Sequence, residues 1–124
     1  MDSNLLLQSS AWLLVTTAAG GLVMALIRFS QRESNPPAWL AMLHGFLAAA
    51  GLTLLAFAAL TVGIPGIALA GLALLLVAAG GGVIMNLGYQ LKDVLLPKWL
   101  VGLHAVLAVT GFVMVLWAAF GELQ

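Results

Sequence analysis

Polar residues are so sparse along this chain that they divide it into four apolar stretches, roughly 10 to 29, 38 to 62, 66 to 90 and 98 to 120. Each comes close to the about 20 residues that a helix needs to cross a hydrocarbon core. The runs are nearly continuous and lack a strong polar face, which is the pattern of helices whose outer solvent is lipid. Turn-forming and charged residues fall between them: SQRESNPP after the first stretch, VGIPG after the second and QLKDVLLPK after the third. Pro37, Pro65 and Pro97 stand at the expected helix starts, where a missing amide proton leaves no helical bond unmade. The pattern predicts an all-α, integral membrane four-helix bundle forming one domain over residues 1–124.

The same pattern is written twice. PAWLAMLHGFLAAAG at 37–51 returns as PKWLVGLHAVLAVTG at 97–111, sixty positions on. At that offset AAGG at 18–21 meets AAGG at 78–81, Arg32 meets Lys92 and Glu33 meets Asp93. The chain therefore reads as a duplicated helical hairpin, repeat one about 5–62 and repeat two about 66–124. Each copy crosses the bilayer twice, so both copies enter in the same sense and form a parallel repeat about an axis along the membrane normal. Helices two and four are then parallel and diagonal in the bundle, and His44 and His104 lie at one depth.

Charge adds an orientation. The chain has only four basic residues and no cysteine, and its net charge is zero. That leaves no basic stripe for nucleic acid and excludes disulfides, thiolate metal sites and cysteine nucleophiles. All four bases, Arg28, Arg32, Lys92 and Lys98, lie in or beside the two connections on one face. By the positive-inside bias these connections are cytoplasmic and both termini lie outside, periplasmic in a bacterial inner membrane. The start, MDSN, has no basic n-region, so the first stretch reads as a retained helix and not as a cleaved signal peptide.

The two histidines carry the candidate chemistry. Four and seven residues after each stand Ala48 and Gly51 in one copy, Ala108 and Gly111 in the other. These positions share a helical face with the imidazole and suggest a slot of small residues above it. Two imidazoles facing each other across diagonal helices would serve as axial ligands of one b-type haem, with glycine supplying clearance for the macrocycle. Its propionates would meet Arg28, Arg32, Lys92 and Lys98. Asn86, read as the replacement for the apolar Leu26 of the first copy, would hold a histidine nitrogen, a propionate or a quinone carbonyl.

A plainer reading stands beside this one. Buried histidines also hydrogen-bond neighbouring helices, and Gly and Ala are the residues that let membrane helices approach. Under it the protein is a haem-free structural, assembly or interaction subunit. A small transporter is the third reading, weakened because no Asp, Glu, Lys or Arg lies well inside a span. There is no paired carboxylate, no GxxxxGK[ST] loop and no HExxH, so chemistry by the polypeptide alone is not expected.

The repeated P-x-W-L-x-x-L-H-x-x-L-A-x-x-G phrase resembles that of small bacterial four-helix membrane proteins, a likeness that covers nearly the whole chain and implies no activity. Through His44 and His104 the chain is also similar in plan to four-helix b-type cytochromes, including the cytochrome b561 group. That resemblance implies electron transfer to or from a quinone or a redox partner protein, alone, as a homodimer or within a larger membrane complex. Members of that group commonly bind two haems through four histidines. Two histidines here limit bis-histidine ligation to a single haem.

Overall fold

A computed structural model describes residues 2–121. It is an all-helical bundle: α1 over Ser3–Ser30, α2 over Ala38–Thr61, α3 over Gly66–Gly88, a single 3-10 turn over Gln90–Lys92, and α4 over Lys98–Phe120. All four α-helices are long and apolar enough to cross a membrane. Large apolar side chains such as Leu22, Phe46, Leu60, Leu76 and Val106 face outward along them, which is stable only against lipid.

Caps explain the boundaries. The first helix begins seven residues before the apolar run read from the sequence, because the carboxylate of Asp2 accepts from the amide of Asn4 (3.0 Å) and opens the helix there. Pro37, Pro65 and Pro97 cap α2, α3 and α4, and their carbonyls accept from the amides of Ala41, Leu69 and Val101 at the end of the first turn. The α2–α3 turn closes on Gly63, whose φ of +79° places it in the left-handed region. The amides of Val62 and Gly63 both donate to the Ala58 carbonyl, the glycine-terminated ending of a helix.

The helices pack most extensively within each hairpin, α1 with α2 and α3 with α4, then α1 with α4 and, less closely, α2 with α3. Helices α2 and α4 therefore stand on a diagonal, as the repeat requires. The apolar core lies in the half of the bundle nearer the termini, around Leu7, Ala11, Leu14, Leu55, Leu72, Leu75 and Val115. At that end Trp12 meets Phe120 edge-on, with ring centroids 5.9 Å apart, joining α1 to α4. Beyond Thr17 and Ala78, toward the two connections, the buried residues among those described are Arg28, Pro36, Leu96 and Val101. Fewer side chains are fully buried at the level of the histidines than at the end nearer the termini.

Burial also corrects the register of the repeat. Helices α2 and α4 correspond at sixty: Gly51 with Gly111 and Leu55 with Val115 are the buried pairs. Helices α1 and α3 correspond at sixty-one. Leu7, Ser10, Ala11, Leu14 and Thr17 are buried on α1, and Ala68, Gly71, Leu72, Leu75 and Ala78 on α3. The second connection is one residue shorter in effect, because Tyr89 to Lys92 tighten into a 3-10 turn and Asp93 then reverses the chain at φ 54°. At this register Leu26 matches Leu87, both exposed. Asn86 takes the place of Ala25, not Leu26.

Candidate functional site

Each histidine is held by the helix before it. His44 on α2 places Nδ1 2.8 Å from the carbonyl oxygen of Thr17 on α1, and His104 on α4 places Nδ1 2.8 Å from that of Ala78 on α3. Thr17 and Ala78 are counterparts at sixty-one, so the two bonds are the same bond in both copies. A carbonyl only accepts, so Nδ1 carries a proton, and in the neutral ring Nε2 then keeps its lone pair. A helix carbonyl is free for this because it has a second lone pair beyond its helical bond.

The two rings meet across the diagonal, with centroids 6.4 Å apart and planes crossed at 71°. A metal stands about 2.0 Å from a coordinating imidazole nitrogen, and the ring centroid lies about 1.1 Å beyond that nitrogen. Two imidazoles on opposite sides of one metal thus have centroids about 6.2 Å apart. The centroid separation alone is close to that value. It also falls within the roughly 4.5–7 Å range of an edge-to-face aromatic contact. The candidate donors are two imidazole nitrogens, with no carboxylate beside them. Among the described residues no three His, Cys, Asp or Glu converge, so the pair makes no stand-alone metal cage.

The proposed cradle is only partly where the sequence placed it. Ala48 and Ala108 are half-buried beside the histidines. Gly51 and Gly111 are not clearance for a ligand. A Cβ on Gly51 would stand 3.0 Å from Cδ2 of Leu14, and one on Gly111 would stand 2.8 Å from the Gly71 carbonyl oxygen. Both glycines are spent on close approach within their own hairpins. Each glycine, like the imidazole seven residues before it, faces the adjacent helix of its own hairpin.

The cations also divide. Arg32, Lys92 and Lys98 are exposed at the connection end, with Nζ of Lys98 6.0 Å from the Phe29 ring centroid. Arg28 does not join them. It is buried, with Nε donating to the Leu96 carbonyl (2.8 Å) and a terminal nitrogen donating to the Gln31 carbonyl (3.1 Å). Its role is to fasten the first hairpin to the second connection. Asn35 completes that clasp, donating to the Val94 carbonyl (2.8 Å) and accepting from the Leu96 amide (2.9 Å), while Gln90 donates to the Pro36 carbonyl (2.7 Å). Asn86 is half-buried on α3.

Two residues that matter to the site were missed as site residues. Gly21 on α1 and Gly82 on α3 lie against the imidazole edges: a Cβ on Gly21 would stand 2.9 Å from Cε1 of His44, and one on Gly82 would stand 3.4 Å from Cε1 of His104. Glycine pairs in an apolar helix signal close packing, but the sequence does not say against what. Compared with protein-family models, curated proteins and solved structures, the chain finds no match.

Proposed function

We propose that this multi-pass membrane protein is a mono-haem b-type electron carrier in which His44 and His104 are the two axial ligands of one haem b. The observation that carries the reading is the pair itself: two imidazoles on diagonal helices, 6.4 Å between centroids, each anchored through Nδ1 to a backbone carbonyl. That anchoring fixes the ring and directs Nε2 chemistry to the metal, as a partner on the far nitrogen does for ligating histidines generally. Few side chains are fully buried in the same half of the bundle, so a prosthetic group there would add to its core. Haem, when bound, supplies one-electron exchange. Ala48 and Ala108 would flank it, and Arg32, Lys92 and Lys98 are the exposed cations at the connection end for its propionates or for an acidic redox partner. On this reading the connections face the cytoplasm of a bacterial inner membrane, the termini face the periplasm, and a quinone or a redox protein exchanges the electron, with a homodimer or larger complex as the setting.

The test is colour. Protein extracted in detergent from haem-replete cells should carry a Soret band that is lost in both His44→Ala and His104→Ala. A colourless preparation of folded protein overturns the proposal.

A haem-free interaction or assembly subunit is the second reading. What favours it is that both Nδ1 bonds, and both Gly51 and Gly111, already serve helix packing. Folded, colourless protein that co-purifies with a fixed membrane partner would carry it.

A further inference from the structure

We infer that the carbonyls of Thr17 and Ala78 hold both imidazoles as the Nδ1–H tautomer, and that Gly21 is a positioning residue for His44 without tolerance for a side chain, whereas its counterpart Gly82 leaves His104 slack. The inference rests on the reading of His44 and His104 as a ligand pair only for its purpose; its geometry stands on the protein alone. The acceptor and the glycine are one helical turn apart in each copy, Thr17 with Gly21 and Ala78 with Gly82, so they lie on one face of the helix. The carbonyl takes the Nδ1 proton, and the missing Cβ one turn on leaves room for Cε1, the ring atom between the two nitrogens. A ring pushed back from either helix would lose its bond to the carbonyl, and with it the preference for a proton on Nδ1. An Nε2 that carries the proton has no lone pair to offer a metal.

The two copies are not equally tight. At Gly21 an added Cβ would reach 2.9 Å from Cε1 and 3.4 Å from Nδ1 of His44, closer than carbon atoms settle without movement. At Gly82 the corresponding approach is 3.4 Å, ordinary contact, and at Gly20, one residue before Gly21, it is 3.9 Å. His44 is boxed in and His104 has slack. Alanine at 82 or at 20 should therefore leave its histidine in place, whereas alanine at 21 should displace His44.

The experiment is nitrogen NMR of histidine-labelled, haem-free protein in detergent micelles, which reads the protonation of each ring nitrogen. In the unsubstituted protein both rings should show a protonated Nδ1 and a bare Nε2. Gly21→Ala should abolish that pattern for His44 and keep it for His104, while Gly82→Ala and Gly20→Ala keep it for both. A protonated Nε2 in the unsubstituted protein overturns the proposal, as does a Gly21→Ala protein with both patterns intact. If Gly21→Ala does not fold, the double variant Gly21→Ala with His44→Ala must fold as His44→Ala alone does, since the clash is then gone; failure of the double variant also overturns it. No haem enters these measurements. A colourless protein with both tautomers intact would sink the electron-carrier reading and leave this inference standing.

Discussion

Gly71 on α3 and Gly111 on α4 face each other so closely that a Cβ built on either would stand 2.8 Å from the carbonyl oxygen of the other. Membrane helices gain little from burying apolar surface away from lipid that is equally apolar. Close backbone approach and the dispersion contact it permits are what join them. The neighbouring atom here is backbone and cannot swing aside, so Gly111→Ala and Gly71→Ala should each destabilise the second hairpin by about 1–3 kcal/mol, the usual range for overpacking. In the first hairpin the counterpart pair is Ser10 and Gly51, and a Cβ on Gly51 meets the flexible end of Leu14 at 3.0 Å. Gly51→Ala should cost less than Gly111→Ala. Unfolding in mixed detergent micelles ranks the three variants; equal losses at 51 and 111 would contradict the packing described.

The Asn35 side chain spans the two connections with one donated and one accepted bond. Removing it leaves the Leu96 amide without its partner beside a side chain only 7% exposed, and an unsatisfied buried polar group costs about 1–3 kcal/mol. Asn35→Asp keeps an acceptor for the Leu96 amide and loses the bond to the Val94 carbonyl. Stability should fall in the order Asn35, Asn35→Asp, Asn35→Ala. Thermal unfolding in detergent checks the order, and protease cleavage of the second connection should rise in the same order.

Much of this architecture was legible because membrane helices announce themselves by length and hydropathy, and because proline fixes where three of them start. The four spans, the diagonal placement of α2 and α4 and the convergence of His44 with His104 follow from the hairpin repeat. What was not legible has one physical source. Which side of an apolar helix meets its neighbour is invisible when every side is apolar, so Gly51 and Gly111 read equally well as ligand clearance or as helix contact. The same blindness hid the one-residue shift between α1 and α3, since matching AAGG to AAGG looks better than matching it to AGGG at 79–82. Burial separates these alternatives, and a 3-10 turn over Gln90–Lys92 is not written in any periodicity.

Arg28 illustrates a different gap, because a basic residue at a helix end reads as a surface cation until its partners are seen. Its guanidinium reaches Leu96 and Gln31 carbonyls at two angles at once, which a single ammonium on a flexible stem does not reproduce. Arg28→Lys should therefore behave more like Arg28→Ala than like the parent, with a loss of about 1–3 kcal/mol. Arg32→Lys, at an exposed position, should be neutral. Retained stability in Arg28→Lys, measured beside Arg32→Lys in the same micelles, would refute the clasp.

The absence of cysteine makes the proposed orientation directly testable, since each introduced thiol is the only one in the chain. All four bases lie at the connection end, and the short turn between α2 and α3 has none, so the connections should face the cytoplasm. In intact cells with a permeable outer layer, a membrane-impermeant maleimide should label Asn4→Cys and Val62→Cys. Glu33→Cys and Leu91→Cys should label only after the inner membrane is opened. These four positions are exposed in the structure, so a silent thiol reports the membrane and not burial in the protein. The reverse pattern would invert the protein and move the paired histidines to the periplasmic half of the bilayer. Equal labelling of Glu33→Cys and Val62→Cys in intact cells would contradict a span between them.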